Sequence, residues 1–250
     1  MYKNNMCQME DVKFILKFYP EIGAWNDYEN ILHFGCGKGM FTNYFLLRAL
    51  PKEVSNVIGM DFNSNDVILA QQRYSHPKIT FKTINNCNEQ FTETFDRIFS
   101  IYYIDDFLSK RNIFEKFYKN FLTPTGDIVI LLQTDHFFAH VIEELKDQSS
   151  CSKVNLRLFS DKQNLTRSLI DIGFTQIICK TFERYQIFPN KKIMIEELKS
   201  LNFEVTDDFI NHFMSTRVAK EKIKYFGKRS TIIAVPYQMT FVYAKKLIKK

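Results

Sequence analysis

Asn30-Ile31-Leu32-His33-Phe34-Gly35-Cys36-Gly37-Lys38-Gly39 is the stretch on which the reading of this chain turns. The apolar run from Asn30 to Phe34 reads as a short buried strand, broken by Gly35, Gly37 and Gly39. Phe41 to Leu50 reads as the helix that follows, stopped by Pro51. A strand that runs into G-x-G-x-G and then a helix lets the backbone approach a ligand closely and aims helix N–H groups at it. Taken alone, such a glycine loop is shared by more than one class of cofactor-binding protein.

Working outward, strand and helix patterns alternate. Met9 to Tyr19 places Val12, Ile15, Leu16 and Tyr19 at helical spacing, and Pro20 stops it. Asn56–Asp61 reads as a second strand, Ser64–Tyr74 as a helix capped by Asn63 or Ser64, and Lys78–Thr83 and Phe95–Tyr103 as further strands. A helix is predicted over Lys110–Phe121, and Thr123-Pro124-Thr125-Gly126 turns the chain into a strand at Asp127–Gln133. Helices over Phe137–Lys146 and Leu158–Gly173 precede a strand at Thr175–Thr181. Then the pattern changes: helices at Ile193–Leu201 and, behind Thr206 as N-cap, at Phe209–Phe226 lead to a last strand at Ser230–Lys245. Pro236 inside that strand predicts a bulge or an edge position.

Alternation of this kind implies right-handed crossovers. The expected fold is α/β: a Rossmann-like, seven-stranded, mostly parallel sheet with helices on both faces and a helical insert before the last strand. Residues 1–250 read as one domain, with 1–29 as a helical segment over the site, 30–182 as the cofactor-binding core, 183–229 as the insert and 230–250 as the last strand. An insert at strand ends suits a lid and equally suits cover for a sheet edge.

Composition narrows the classes. The charge of +6 comes from dispersed residues; only Lys191-Lys192 and the tail Lys245, Lys246, Lys249 and Lys250 cluster. No basic stripe interleaved with aromatics is present, so nucleic acid is not an expected partner. The five cysteines show no metal-ligand spacing, which argues for a reducing compartment and no structural zinc. His136 and His140 stand four apart without the glutamate of a zinc protease, so no metal is expected. No N-terminal apolar run follows a charged start and no stretch approaches about 18 apolar residues, so neither a signal peptide nor a membrane partner is expected and the cytoplasm is the default location. The 25 Phe and 12 Tyr suit an apolar cavity, though genome composition accounts for them as well.

Two residues sharpen the glycine loop. The dinucleotide spacing G-x-G-x-x-G/A needs a small residue where Met40 stands. Asp61, at the end of the second strand about 20 residues on, suits ribose hydroxyls. Together they favour a methyltransferase over a nicotinamide enzyme.

Over nearly its full length the chain resembles the juvenile hormone acid methyltransferase family, within the class I S-adenosylmethionine-dependent methyltransferases. The likeness is carried by Tyr2-Lys3-Asn4-Asn5-Met6-Cys7-Gln8, by Trp25, by Tyr74-Ser75-His76-Pro77-Lys78-Ile79-Thr80-Phe81 and by Phe95-Asp96-Arg97-Ile98-Phe99-Ser100. Gly173-Phe174-Thr175 and the ending Val235-Pro236-Tyr237-Gln238-Met239-Thr240-Phe241-Val242-Tyr243-Ala244-Lys245 extend it. The resemblance implies methyl transfer from S-adenosylmethionine to the carboxylate of a small apolar acid such as farnesoic or juvenile hormone acid. It implies cofactor contacts at Gly35, Cys36, Gly37, Gly39, Asp61, Phe62, Asn86 and Ser100, and catalytic positions at Gln8, which orients the carboxylate, and Asp106.

The chain departs from that pattern where it matters. His33 stands where the family has an acid, either as a substitute polar partner or as packing. Ser100-Ile101-Tyr102-Tyr103-Ile104-Asp105-Asp106 replaces the family's S-F-Y-C-L-H-W, putting Asp106 where an aromatic residue is expected over the substrate. A carboxylate there disfavours an acidic substrate; alternatively Asp105 and Asp106 cap the next helix. The competing reading is a catalytically weakened or inactive methyltransferase-fold protein that binds an apolar ligand or a partner. A nucleic-acid methyltransferase has only the net charge in its favour, and the Asn/Asp-Pro-Pro-Tyr motif of many amino-group methyltransferases is absent.

Overall fold

A computed structural model describes residues 9–15, 17, 29–53, 56–84, 93–103, 111–135, 162–200, 206–216 and 232–247. The chain divides into two compact units. The larger comprises Gln8–Leu132, Asp161–Lys180 and Thr240–Lys250; the other comprises Met1–Cys7, Gln133–Ser160 and Thr181–Met239.

The larger unit holds the strands that build the site. β1 (Asn30–Phe34), β2 (Asn56–Asp61), β3 (Ile79–Thr83), β4 (Phe95–Ile101) and β5 (Leu122–Asp135) lie in a seven-stranded sheet with β6 (Thr175–Phe188) and β7 (Ile233–Lys245), in the order β3-β2-β1-β4-β5-β7-β6. β1 pairs in parallel with β2, Leu32 opposite Ile58, and with β4, Leu32 opposite Ile98. β2–β3 and β4–β5 are parallel as well. Ile31, Leu32, His33 and Phe34 are all buried, as expected for a parallel strand covered on both faces. Chain order runs outward from β1 to β3 and then returns to β4 on the other side of β1. That reversal leaves a crevice beyond the carboxyl ends of β1 and β4, where ligands of such sheets bind.

The helices of this unit follow from local signals. Residues 9–15 are helical (α1), and Val12 and Ile15 are buried. Residues 40–49 form α2, which contains a π-helical turn at Thr42–Leu46 closed by Leu47 N–H on the Thr42 carbonyl. α3 (Ser64–Arg73) is capped by Asn63, whose Oδ1 accepts from the N–H groups of Asn65 and Asp66 at 3.1 and 3.3 Å. α4 (Arg111–Lys116) continues into a second π-helical turn, Phe117–Phe121, and α5 is Lys162–Ile172. In the other unit, α6 (Lys191–Ser200) and α7 (Asp207–Thr216) lie where helices were expected before the last strand, and Thr206 Oγ1 accepts from Phe209 N–H at 3.1 Å as the N-cap of α7. The helix expected at 137–146 lies outside the described residues.

Three details differ from the expected boundaries. β6 runs on to Phe188 instead of ending at Thr181, so residues 183–188 of the expected insert are strand. The Thr123–Gly126 turn is absorbed into β5, because Leu122 already pairs with Phe95 and the register slips before Arg97 meets Asp127. β7 lies between β5 and β6, so Pro236 does not mark an edge strand.

At the strand entries, opposite the glycine turn, a buried ionic cluster ties the sheet together. Arg97 of β4 pairs with both carboxylate oxygens of Glu29, the Nη2–Oε1 bond being 2.9 Å, and with Asp127 of β5 at 3.1 Å. Tyr243 O–H of β7 donates to Asp127 at 3.3 Å. Burial holds the Asp127 carboxyl up at about 6 against the pull of Arg97.

Candidate functional site

The turn after β1 depends on glycine. Gly35, Gly37 and Gly39 have φ of +81°, +50° and +79°, a region that costs any other residue about 1–2 kcal/mol. The N–H groups of Gly35 and Cys36 both donate to the Met60 carbonyl, at 2.7 and 3.0 Å, which fastens the turn to the end of β2. Gly39 needs its hydrogen for a second reason: a Cβ there would meet Phe81 at 2.7 Å and Ala70 of α3 at 2.8 Å. Above Gly37 the space is open.

Asp61 ends β2 with its carboxylate turned onto this loop. Oδ2 accepts from Gly37 N–H at 2.8 Å, and Oδ1 accepts from Asn63 N–H at 2.9 Å. Each oxygen retains a lone pair for a further donor. Cys36 is buried beside it; burial first, and the Asp61 charge second, push its thiol far up, so it stays protonated and is no nucleophile. Ser100, on β4, has a buried Oγ that finds no hydrogen-bond partner among the described residues.

His33 is 2 % exposed, and its Nδ1 lies 2.7 Å from Thr42 Oγ1 at the start of the π-helical turn. Its Nε2 is buried and finds no partner among the described residues. Burial lowers its pKa to about 4, so the ring is neutral near pH 7. The ring lines an apolar cavity of about 10 Å³ with Val12, Ile15, Phe41, Leu46 and Phe99. An ordered water needs two to four polar partners, and these walls do not supply them.

Sequence reasoning missed the aromatic cluster at the mouth of the crevice. The Tyr103 ring lies on Gly35: a Cβ at Gly35 would stand 2.0 Å from Tyr103 Cγ. Tyr103 meets Phe34 edge-on, ring centroids 5.5 Å apart, and lies nearly parallel to Phe62 at 6.4 Å. The preceding Tyr102 has φ of +53°, and its O–H donates to Asp11 of α1 at 2.6 Å. The adjacent tyrosines were visible in the sequence, but nothing there tied them to Gly35 or Asp11.

Of the expected cofactor residues, the fold brings Gly35, Cys36, Gly37, Gly39, Asp61 and Phe62 to one crevice at the strand ends, with Ser100 on the neighbouring β4. Asn86, Gln8 and Asp106 lie outside the described residues. Among the described residues no cluster of His, Cys, Asp or Glu could hold a metal ion.

Residues 31–126 match the model of a methyltransferase domain. Over those residues, which include the glycine turn, Asp61 and Ser100, the chain is similar to methyltransferase domains, and the cofactor expected there is S-adenosylmethionine. Solved structures share the fold. The YcgJ protein of Bacillus subtilis is 14% identical, with 96% of this chain and 99% of that chain covered and a TM-score of 0.63. A methyltransferase candidate from Bacillus halodurans is also 14% identical, with 93% and 99% covered and a TM-score of 0.60. Phosphoethanolamine N-methyltransferase 2 of Haemonchus contortus, solved with S-adenosyl-L-methionine, is 17% identical, with 96% of this chain and 56% of that chain covered and a TM-score of 0.54. A search of curated proteins finds no significant match. Among the described residues no helix is long and apolar enough to cross a membrane.

The residues present fit such a cofactor. A turn of positive-φ glycines leaves open space at Gly37, a carboxylate with spare lone pairs borders it, and β4 offers the hydroxyl of Ser100, unpartnered among the described residues.

Proposed function

We propose that this methyltransferase acts on a small apolar acceptor, with carboxylic acids of the farnesoic or juvenile hormone acid type as the substrate class. The observation that carries the site is the Asp61 carboxylate turned onto the glycine turn through Gly37 N–H at 2.8 Å. The full-length resemblance and the aromatic content support the acceptor class.

In this reading Gly35, Cys36, Gly37, Gly39, Asp61, Phe62, Asn86 and Ser100 hold the cofactor. Asp61 accepts from ribose hydroxyls with the lone pairs that Gly37 and Asn63 leave free. The bound sulfonium supplies an electrophilic methyl group. A carboxylate acceptor is already ionised at pH 7, so the protein needs no strong general base. Its task is to hold the acceptor oxygen in line with that methyl, which is where the rate gain of such a transfer arises. Gln8 orients the acid, and its chain requires an apolar cavity. Asp106 is the second catalytic position that the resemblance implies, and its negative charge counts against an acid as the acceptor.

Titration calorimetry with S-adenosylmethionine and S-adenosylhomocysteine tests the cofactor site, and a panel of terpenoid and fatty acids tests the acceptor. We expect saturable heat that Asp61→Ala weakens by about tenfold or more, as loss of a charged hydrogen-bond acceptor implies. Absence of heat with either compound refutes the cofactor site. Methyl transfer to none of the acids refutes the acceptor class. A second reading, a weakened enzyme or pure binding protein, is favoured by Tyr103 lying on Gly35 and by neutral His33 in place of an acid; it predicts binding without product.

A further inference from the structure

The face of Gly35 is the surface that a positive-φ glycine opens for close approach of a ligand, and here the Tyr103 ring occupies it. No other side chain could stand at position 35 while that ring is in place, since Cγ, Cβ and Cδ2 of Tyr103 would all lie within 2.4 Å of its Cβ. The ring is neither deeply buried nor loosely placed. It is half-buried, edge-on to Phe34 and near-parallel to Phe62. Its backbone is delivered by Tyr102 in the left-handed region, a conformation that costs a tyrosine of order 1–3 kcal/mol and persists only when its surroundings enforce it. Two contacts do so: Tyr102 N–H donates to the Leu131 carbonyl at 3.0 Å, and Tyr102 O–H donates to buried Asp11. Asp11 belongs to α1, so the helix at the start of the chain helps set the ring over the loop.

We propose that Tyr103 is a gate over the glycine turn, latched by the Tyr102–Asp11 hydrogen bond, and that the ring must leave Gly35 before the cofactor seats. The inference rests on the cofactor site proposed above. Space above Gly37 remains open beside the covered Gly35, so the ring closes part of the crevice and leaves an entrance. A strained hinge next to a ring held by aromatic edges is a two-position element. Its open form is the minor one, and the apparent affinity falls by the fraction that is open.

The test is stopped-flow and calorimetric binding of S-adenosylhomocysteine to the wild-type chain, Tyr103→Ala, Tyr103→Phe and Tyr102→Phe. For the wild type the observed binding rate should level off at high ligand, because ring departure limits it. Tyr103→Ala should lose that plateau and bind about tenfold or more tightly, as expected when the closed form holds at least 90% of the molecules. Tyr102→Phe, which keeps both rings and removes the latch, should raise the plateau, and Tyr103→Phe, which keeps the ring over Gly35, should retain a plateau. Weaker binding by Tyr103→Ala, or a rate linear in ligand for the wild type, overturns the gate and makes Tyr103 part of the binding surface. Failure of the wild type and every variant to bind overturns the cofactor site itself, a separate result. Should Tyr103→Ala not fold, an unchanged plateau in Tyr102→Phe overturns the latch.

Discussion

His33 ties stability to pH in a direction and size that the structure supplies. The ring is fully buried, and burial lowers its pKa from 6.5 to about 4. The unfolded chain therefore binds a proton that the folded chain refuses throughout that window. Its contribution is fully present above pH 6.5, is lost as pH falls and is exhausted near pH 4. At about 1.4 kcal/mol per pH unit, the loss comes to roughly 3 kcal/mol. His33→Gln removes the titration while leaving a polar group beside Thr42. Near pH 7.5 the variant should be less stable by about 1 kcal/mol, the worth of the Thr42 bond. The gap should close and reverse on acidification as the wild type alone loses stability. Asp127 works in the opposite sense: held up at about 6, it favours the folded state at low pH and costs stability as pH rises through that range. That slope is common to both proteins and drops out of their difference. Urea unfolding followed by circular dichroism at half-unit steps from pH 4 to 7.5 measures both curves. Parallel curves across the window would refute the buried neutral histidine.

Three further substitutions test the framework. Gly35→Ala should destabilise the chain by several kcal/mol, because its Cβ strikes Tyr103, and adding Tyr103→Ala should recover part of the loss; purely additive effects in thermal unfolding would show that the ring does not lie there. Arg97→Ala strands two buried carboxylates, Glu29 and Asp127, and should cost about 3–5 kcal/mol in chemical denaturation, whereas a loss under 1 kcal/mol would mean that water reaches the cluster. Asn63→Ala removes the cap of α3 and should cost about 1 kcal/mol, with Asn63→Ser restoring most of it.

The sequence alone determined what short-range physics controls. Glycines at 35, 37 and 39 announced a backbone that other residues adopt only at a cost, and all three have positive φ. Continuous apolar runs marked β1 and β2, and Asn63 and Thr206 marked helix starts, because caps and strand patterns involve neighbours along the chain. Tertiary structure decided what depends on distant segments. It put Asp61 on Gly37, Tyr103 on Gly35, Asp11 under Tyr102, and Glu29, Arg97 and Asp127 in one buried cluster. It also placed β7 between β5 and β6 and gave His33 its Thr42 partner in an apolar wall. None of these pairings leaves a periodic trace, since each depends on strand order and packing that bring together positions remote in the chain.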